Sequence, residues 1–379
     1  MYMIKLSSIA DYVTDKISSN DISLNEYVTT DCILQNKKGR KIATNLPPQP
    51  CSLTRYQRGD VLVANIRPYL KKIWFADIDG GASSDVLVFR AKEGHSPSFL
   101  YAVLLQDSFF NYVMQGTKGS KMPRGDKDQI LRYEMPTLSF SEESIGTFFL
   151  NLDSLIRLKE QINQNLEAMA KQLYDYWFVQ FDFPNEEGKP YKSSGGEMVW
   201  NEKLKREIPK GWENCTLEYF LTIKNGRDHK HLAEGLYPVY GSGGEMRRVN
   251  ENLYRGESVL MPRKGTLNNI MYIDEAFWTV DTMFYSEMKI PHCAKYIFFA
   301  IKDIDFTRWD SGTGVPSMTA STLYNLTMIK PNKNLLKRFD KTIAPIFYKM
   351  KQIKVECEEL IKQRDELLPL LMNGQVSVG

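Results

Sequence analysis

Two long amphipathic helices are the strongest pattern in the chain. In the first, residues recur on one helix face at spacings of three and four, with Lys159 as the one charged member of this seam. The apolar members of the seam are Leu152, Leu155, Ile162, Leu166, Met169, Leu173 and Tyr176. Ser141 followed by two glutamates is a typical helix start, and no proline follows until Pro184. The pattern predicts a helix over residues 141–183, about 40 residues or roughly 60 Å long at ~1.5 Å per residue.

A second seam of the same kind ends the chain. Its apolar members are Met350, Ile353, Cys357, Leu360, Leu367 and Leu371, and Arg364 occupies one seam position. Pro345 indicates either the start of this helix or a kink in it. Asn373 and Gly374 are expected to end it, because glycine readily adopts the left-handed conformation of a helix C-terminus. We place this helix and its tail at residues 334–379.

Two arrangements of these helices are compatible with the seams. Each helix could pack inside its own globular body, and an apolar seam alone favours that arrangement. Charged runs at residues 349–354 and 356–359 instead predict helices that are exposed to solvent on most sides. A long helix with a single apolar stripe needs a partner, so we expect the two seams to pair as an antiparallel coiled coil that separates two bodies.

The remainder of the chain predicts two bodies of mixed short strands and helices, an α+β fold. Both stretches are rich in Val, Ile, Phe and Tyr and are interrupted by Gly and Pro turns. We assign residues 1–140 to the first body and residues 212–333 to the second. A polar, turn-rich connector covers residues 184–211.

Matching motifs recur in the two bodies in the same order. Arg58-Gly-Asp before a strand-like run has a counterpart in Arg255-Gly-Glu, and Ser84-Asp has one in Val280-Asp. Gly116-Thr and Met122 correspond in the same way to Gly312-Thr and Met318, and Pro136 corresponds to Pro331. The order is the same and the offset nearly constant, so the pattern predicts a tandem repeat.

Composition narrows the class of protein without naming a ligand. The 379 residues include 49 Lys and Arg against 46 Asp and Glu, a net charge of +3, so any nucleic-acid site must be a local basic surface. No apolar run approaches the roughly 18–20 residues of a membrane span, and the start lacks the features of a signal peptide. Five scattered cysteines suit a reducing compartment. We expect a cytoplasmic protein that does not contact membranes.

The motifs of common catalytic sites are absent. The glycine-rich residues 241–244 lack the Lys-Ser or Lys-Thr of a phosphate-binding loop, and the four histidines do not have metal-ligand spacing. Glu187 with Lys189 and Asp228 with Lys230 have the local form of a nuclease site, but such triplets are common by chance. We expect no catalytic residue, no metal and no cofactor in this chain. The alternative is a self-contained nuclease or DNA-modifying enzyme.

Basic, glycine-containing loops recur at matching places in both bodies. Lysine and arginine on such loops can reach phosphates or base edges, and Asn, Ser and Thr can contact bases. Any single loop could equally be a solvated turn, but repetition at matching places favours a DNA-binding surface. The candidate residues are Arg67, Tyr69, Lys71, Lys72, Lys118, Ser120, Lys121, Arg124, Lys224, Asn225, Arg227, Tyr240, Ser242, Arg247, Arg248, Arg263, Lys264 and Thr313.

Several stretches of the chain resemble one known family. Residues 173–184 read Leu-Tyr-Asp-Tyr-Trp-Phe-Val-Gln-Phe-Asp-Phe-Pro, and residues 207–212 contain Ile-Pro-Lys-Gly-Trp. The tail at residues 367–374 and the segments 237–244, 263–265 and 277–282 match the same family. On these motifs the whole chain resembles the DNA-specificity subunit of type I restriction–modification systems; the first body matches less sharply.

The resemblance implies a non-catalytic role in a multisubunit enzyme. Each body would be a target-recognition domain that reads one half of a bipartite site in double-stranded DNA, and the paired helices would fix the gap between the halves. The helices would also bind two modification (methyltransferase) subunits, with restriction (motor-nuclease) subunits completing the complex. S-adenosylmethionine, ATP and magnesium would be used by those partner subunits.

Overall fold

The computed structural model describes residues 2–119, 121–137, 141–309 and 316–376. The chain divides into two compact units. Unit 1 consists of Met1–Asn163 together with Gln352–Gly379, and unit 2 consists of Gln164–Lys351. Each long helix therefore contributes residues to both units.

In its described residues, unit 1 combines short strands with four α-helices that lie before the long helix. Its elements in chain order are β1 Met3–Lys5, α1 Leu6–Ile9, β2 Ala10–Tyr12, β3 Lys16–Ser18, β4 Tyr27–Val28, β5 Ser52–Tyr56, β6 Val61–Ala64, β7 Ile73–Phe75, β8 Gly80–Ala82, β9 Val86–Ala91, α2 Pro97–Leu105, α3 Asp107–Gln115, α4 Lys127–Ile130, β10 Glu134–Pro136 and the long helix α5 Glu142–Tyr174.

The central sheet of unit 1 is buried on both faces. Its strand order is β2-β9-β6-β7. Val61 and Val63 of β6 pack into the core that contains α2 and α3, whereas Leu62 packs into a second core with Tyr56 and Trp74. Strands buried on both faces read as continuous apolar runs, and this is why Val61–Ala64 shows no polar alternation.

Unit 2 contains longer strands. Its elements are β11 Met198–Asn201, β12 Arg206–Pro209, β13 Glu213–Thr216, β14 Leu221–Asn225, β15 Glu234–Gly241, β16 Gly244–Val249, β17 Tyr254–Pro262, β18 Met271–Thr279, β19 Met283–Met288, α6 Ala294–Lys302, α7 Ala320–Tyr324, β20 Thr327–Lys330 and the long helix α8 Lys333–Met372. The six-stranded sheet has the order β14-β19-β17-β18-β15-β16.

The topologies of the two units repeat one plan. The order β2-β9-β6-β7 in unit 1 corresponds to β14-β19-β17-β18 in unit 2. In each unit the first and last strands of the plan pair antiparallel, β1 with β10 and β13 with β20, before a long helix begins. Unit 2 extends the plan by a hairpin, β15 and β16, which joins through a parallel pairing with β18. The repeat predicted from the sequence is therefore present in the fold.

The ends of the long helices follow the predicted capping signals. The Ser141 hydroxyl accepts a hydrogen bond from the Ser144 amide at 3.3 Å, and Asn332 caps α8 through the Leu335 amide at 2.8 Å. Gly374 ends α8 with φ 66°, and its amide donates to the Leu371 carbonyl. Two expectations were inaccurate: α5 gives way after Tyr174 to a π-helical turn, and Pro345 is not the start of α8, which begins at Lys333.

Within each unit the two long helices contact each other. In unit 1, Arg364 of α8 donates to Asp153 of α5 at 3.1 Å, and Lys159 of α5 pairs with Glu356 of α8. Partner numbers fall on α8 as they rise on α5, so the helices are antiparallel in this unit. In unit 2, the rings of α5 and of the turn after it pack against Phe339 of α8. The finer knobs-into-holes geometry of a coiled coil stays a prediction.

The predicted seam of α8 is on the correct face, but that of α5 is wrong by about one position. Ile353, Cys357 and Leu371 of α8 are buried, and Met350, Leu360 and Leu367 are half-buried. From Leu150 onward, the buried positions of α5 are Asp153, Ile156, Ala170 and Tyr174, whereas Leu152, Leu166 and Leu173, and Tyr176 in the turn after the helix, are half-buried. Leu155, Ile162 and Met169 are exposed. Hydrophobic periodicity missed the inner face because that face carries Asp153, whose charge is paired.

We predict that the buried pair between Asp153 and Arg364 stabilises unit 1. Replacing Arg364 with Met leaves the Asp153 carboxylate buried with only Tyr101 and Arg157 as partners. Loss of one member of a buried pair costs about 3–5 kcal/mol, and we expect the lower end because those two partners remain. Lys159→Met, which removes a more exposed pair, is the control and should cost less than about 1 kcal/mol. Denaturant unfolding of the purified chain measures both, and equal losses would contradict the prediction.

Candidate nucleic-acid interface

In unit 2, the basic loops converge on the turn between β18 and β19. The Arg227 amide donates to the Thr279 carbonyl at 2.8 Å, and the Arg263 amide donates to the Thr282 carbonyl at 2.8 Å. The Val280 amide donates to the Tyr240 carbonyl at 3.0 Å, which brings the end of the β15–β16 hairpin to the same turn. Three loops distant in sequence are thus fixed at one end of the sheet.

A fourth segment and a side chain complete this cluster. The Gly265 amide donates to the Pro316 carbonyl at 3.0 Å, and the Met318 amide donates to the Arg263 carbonyl at 2.9 Å. Asn269 donates from its side-chain amide to the Ser242 carbonyl at 2.9 Å. Close approach requires glycine at Gly226, where a Cβ would lie 2.0 Å from the Val280 carbonyl oxygen.

Unit 1 builds the same loop cluster from different residues. The Asn65 amide donates to the Asp85 carbonyl, which corresponds to the bond from the Arg263 amide to Thr282 in unit 2. Likewise, the Arg67 amide donates to the Pro123 carbonyl, which corresponds to the bond from the Gly265 amide to Pro316. The Gly125 amide closes the pattern by donating to the Asn65 carbonyl. In both units the helix that follows has a side-chain cap, Asp126 for α4 and Thr319 for α7. The basic loops therefore belong to the repeated plan.

Most of the candidate residues lie on the surface of these clusters. The exposed ones are Arg67, Tyr69, Lys118, Lys121, Arg124, Lys224, Asn225, Arg227, Arg248, Arg263 and Lys264. Ser120 and Thr313 lie outside the described residues. Ser242 is half-buried, and its carbonyl already holds the Asn269 side chain.

Four candidates have internal roles that the sequence did not predict. Tyr240 is 3% exposed, and burial together with nearby Glu275 raises the pKa of its hydroxyl, so its ring does not reach the surface. The end of β15 decides this, since residues 238–241 are all buried and the strand is therefore covered on both faces there. Arg247 donates to the carbonyls of His229 and Leu232, and Lys72 donates to that of Thr30. Lys71 pairs with Asp107 at 2.8 Å. These side chains hold loops in place.

Acidic side chains pair with several of the exposed lysines and arginines. Asp85 contacts Arg124 at 2.8 Å, and Asp126 contacts Lys118 at 3.3 Å. In unit 2, Glu287 lies 3.8 Å from Lys224. Hydrogen bonds from the Gln129 amide and from Lys118 hold the pKa of Asp126 below its usual value, so this carboxylate stays charged near neutral pH. Exposed pairs of this kind are worth about 0–1 kcal/mol, so a phosphate can replace the carboxylate at low cost.

One basic run next to this surface was missed by the sequence reasoning. Residues 37–41 read Lys-Lys-Gly-Arg-Lys, and the Lys37 and Asn36 amides donate to the carbonyls of Lys71 and Leu70. The run precedes the first recognisable strand of its region, so periodicity offered no reason to associate it with residues 67–72. The concentration of four basic residues in five positions was the available signal.

The local carboxylate–lysine triplets do not form a nuclease-like site. Glu187 pairs with Lys189 at 2.9 Å on the exposed connector, and Asp228 accepts a hydrogen bond from the Lys230 amide at 3.4 Å. Over the four described ranges, no group of three His, Cys, Asp or Glu residues is placed to hold a metal ion. None of the helices in those ranges is long and apolar enough to cross a bilayer.

Comparisons with known proteins agree with the repeated, loop-bearing fold. A family model for the type I restriction modification DNA specificity domain matches residues 209–367. The MjaIX specificity subunit of a type I restriction enzyme from Methanocaldococcus jannaschii is 24% identical over 96% of this chain and 86% of its own length. The HindI specificity subunit from Haemophilus influenzae is 21% identical over 92% of this chain and 94% of its own.

A solved structure shares the fold over the whole length. The S subunit of a type I restriction-modification system from M. genitalium aligns with 100% of this chain and 96% of its own, at 15% identity and a TM-score of 0.58. The chain is therefore similar to two specificity subunits of type I restriction enzymes over nearly its full length, and its residues 209–367 match the DNA specificity domain of that family.

Proposed function

We propose that this chain is the DNA-recognition subunit of a type I restriction–modification complex and reads a bipartite target, with one half-site contacted by each unit. The observation that carries the proposal is the repeated loop cluster. Arg67, Lys121 and Arg124 of unit 1, and Arg263 and Lys264 of unit 2, lie on loops that equivalent backbone hydrogen bonds hold at one end of the same four-stranded arrangement. Arg227 joins the unit 2 cluster through its bond to Thr279.

The chemistry of these loops suits duplex DNA. Lysine and arginine contacts to phosphate fix register and affinity, while base edges in the grooves supply sequence information. A guanidinium on a rigid loop can bind a guanine edge in a bidentate manner, and Arg263 has its backbone fixed on both sides by Thr282 and Met318. Direct readout needs this rigidity, because a mobile side chain would lose entropy on binding.

The chain supplies recognition and assembly, and the reactions belong to its partners. We place adenine methylation with S-adenosylmethionine on modification subunits, two per complex, and ATP- and magnesium-dependent cleavage on restriction subunits. A DNA ligand and these partners assign the protein to the cytoplasm. The self-contained enzyme considered from the sequence finds no support in the placement of Glu187 and Asp228.

Half-site recognition is testable with two single substitutions. Arg263→Ala should relax base preference in the half-site read by unit 2 only, and Lys121→Ala should weaken binding through the other half. Each lost phosphate contact lowers the slope of log K against log salt by about 0.9. Binding of the subunit assembled with its modification subunit is measured across salt, on targets mutated in either half. Lys203→Ala, an exposed lysine of the connector, is the control. Equal effects of Arg263→Ala on both halves would contradict separate readers.

We further propose that α5 and α8 together set the gap between the half-sites. The pairing of Asp153 with Arg364 and of Lys159 with Glu356 defines their register in unit 1. Extrapolated along both helices, Gln164 of α5 is level with Lys351 of α8. A change of spacing must therefore lengthen both helices at these two points.

A matched insertion tests the spacing role. Seven residues added after Gln164 and seven before Lys351 preserve the seam period and lengthen each helix by about 10 Å at ~1.5 Å per residue. On DNA rising ~3.4 Å per base pair, the methylated target should gain about 3 base pairs in its gap. Sequencing of methyladenine in cells that carry the variant gives the motif directly. The same insertion in α5 alone should abolish modification, and an active matched variant with an unaltered gap would rule out the spacing role.

The exposed apolar residues of α5 are our proposed site for the modification subunit. Leu155, Leu158 and Ile162 follow one another at helical spacing in unit 1, and Leu158 is 55% exposed. Exposed apolar residues that form a stripe indicate a protein-binding surface. Asp153, which contacts Arg364 of α8, is buried, whereas the residues of the stripe are exposed. The stripe is therefore on a different face of α5 from the contact with α8.

Polar substitutions on this stripe should separate assembly from folding. Leu158→Glu combined with Ile162→Glu should abolish co-purification with the modification subunit, because two carboxylates would be buried in the interface. Thermal unfolding of the purified chain should stay unchanged, since both side chains are exposed. Gln161→Glu, on an exposed position between them, adds charge outside the stripe and should leave co-purification intact. Retention of the partner by the double variant would exclude the stripe as the docking site.

A further inference from the structure

Left-handed backbone conformations cluster in two loops of unit 1. Among the described residues, the non-glycine positions with positive φ include Asn36 (56°), Lys37 (62°), Arg67 (53°) and Lys71 (49°). A side chain at such a φ is strained because its Cβ approaches the carbonyl oxygen. Strain of this kind persists only where surrounding contacts over-determine the backbone, and it concentrates at functional sites.

Hydrogen bonds join the two strained loops directly. The Asn36 amide donates to the Leu70 carbonyl and the Lys37 amide to the Lys71 carbonyl, both at 2.9 Å. Within the second loop, the Leu70 amide donates to the Arg67 carbonyl at 2.9 Å. The loop that presents Arg67 and Tyr69 at the surface thus owes its shape to residues 36 and 37.

A buried ammonium group fixes this arrangement. The Lys37 side chain is 3% exposed, and its Nζ contacts Asp107 at 2.8 Å and Asp365 at 3.2 Å. Lys71 binds the other oxygen of Asp107 at 2.8 Å, so one carboxylate at the start of α3 holds both loops. Although partial burial acts in the opposite direction, these two lysines hold the pKa of Asp107 below its ordinary value.

The network also reaches the long helix. Asp365 lies on α8 and is bonded by Arg364, which in turn contacts Asp153 of α5. A continuous series of charged groups therefore joins the helix pair of unit 1 to the loop at residues 67–71. Lys37 is the member through which the series passes from α8 to the loop.

We propose that Lys37 is a positioning residue for half-site recognition: without touching DNA, it holds residues 67–71 in the strained shape that presents Arg67 and Tyr69, and it ties that shape to α8 through Asp365. The inference rests on the proposed function, because it concerns how the unit 1 site is built. A lysine that served stability alone would not affect one half of the target selectively.

The test uses the chain assembled with its modification subunit and DNA altered in one half-site at a time. Lys37→Met keeps the length of the side chain and removes its charge. We expect it to reduce discrimination at the unit 1 half-site about tenfold, which is the order of one misplaced bidentate base contact. Discrimination at the unit 2 half-site, affinity for non-specific DNA and the salt slope should stay at wild-type values. Arg67→Ala, measured in parallel, should lower the salt slope or the same discrimination by direct loss of contact.

Two further variants keep the test decisive. Lys38→Met removes the adjacent, exposed charge and should have no effect on discrimination. Asp365→Asn weakens the contact between Lys37 and α8 and leaves the pair of Lys37 with Asp107 in place; its side chain is 41% exposed, and the variant should give a smaller loss confined to the same half-site. If Lys37→Met prevents folding, Asp365→Asn alone decides the matter.

The outcomes separate this inference from the function beneath it. Loss restricted to one half-site, with an unchanged salt slope, supports the positioning role. Full discrimination in both Lys37→Met and Asp365→Asn, or equal loss at both halves, overturns it. If the wild-type assembly itself fails to distinguish altered half-sites, the proposed function is wrong and the positioning role fails with it.

Discussion

Backbone hydrogen bonds between loops and the turn that ends the sheet hold the surface that we propose for DNA recognition. In unit 2 the carbonyls of Thr279 and Thr282 receive the amides of Arg227, Arg263 and Lys264. These bonds use main-chain atoms, so the side chains of the same residues stay free to vary without loss of the loop geometry. A specificity protein benefits from that separation, because its target can change by side-chain substitution on a constant frame. The recurrence of the pattern in unit 1, around Asp85 and Asn65, shows that the frame itself is the repeated feature.

The charged pair at the inner face of α5 fixes the register of the two long helices in unit 1. A fully apolar seam would permit the two helices to slide by one heptad, since every heptad presents similar side chains. The pair of Asp153 with Arg364 is satisfied in one register only, and Tyr101 of α2 adds a third partner from the body of unit 1. A buried pair contributes little net stability compared with apolar packing. In this chain the pair instead selects a single register of the two helices. Any fixed spacing between half-sites would depend on that register.

The sequence predicted the elements whose signals are local. The caps at Ser141 and Gly374 depend on neighbouring residues and the tandem repeat on matching motifs along the chain, and the structure has both. The face of α5 was missed because an ion pair across a helix contact is invisible to hydrophobic periodicity. Tyr240 was assigned to the surface because of its glycine-rich neighbours, although β15 buries it. Lys37 reads as one more solvated lysine of a basic run, and only the fold shows that Asp107 and Asp365 surround its ammonium group.

A net charge of only +3 is consistent with DNA recognition when acidic residues lie beside the lysines and arginines of the binding surface. In unit 1, Asp85 contacts Arg124 at 2.8 Å and Asp126 contacts Lys118 at 3.3 Å. Each carboxylate thus occupies the place that a phosphate would take. In the proposed DNA complex, phosphates would replace these carboxylates, so the gain from any random duplex would be smaller than for unpaired lysines. Base contacts from loops with a fixed backbone would then supply a larger share of the binding free energy. On this proposal the acidic residues reduce affinity for all DNA and increase the ratio between the affinities for the target and for other sequences.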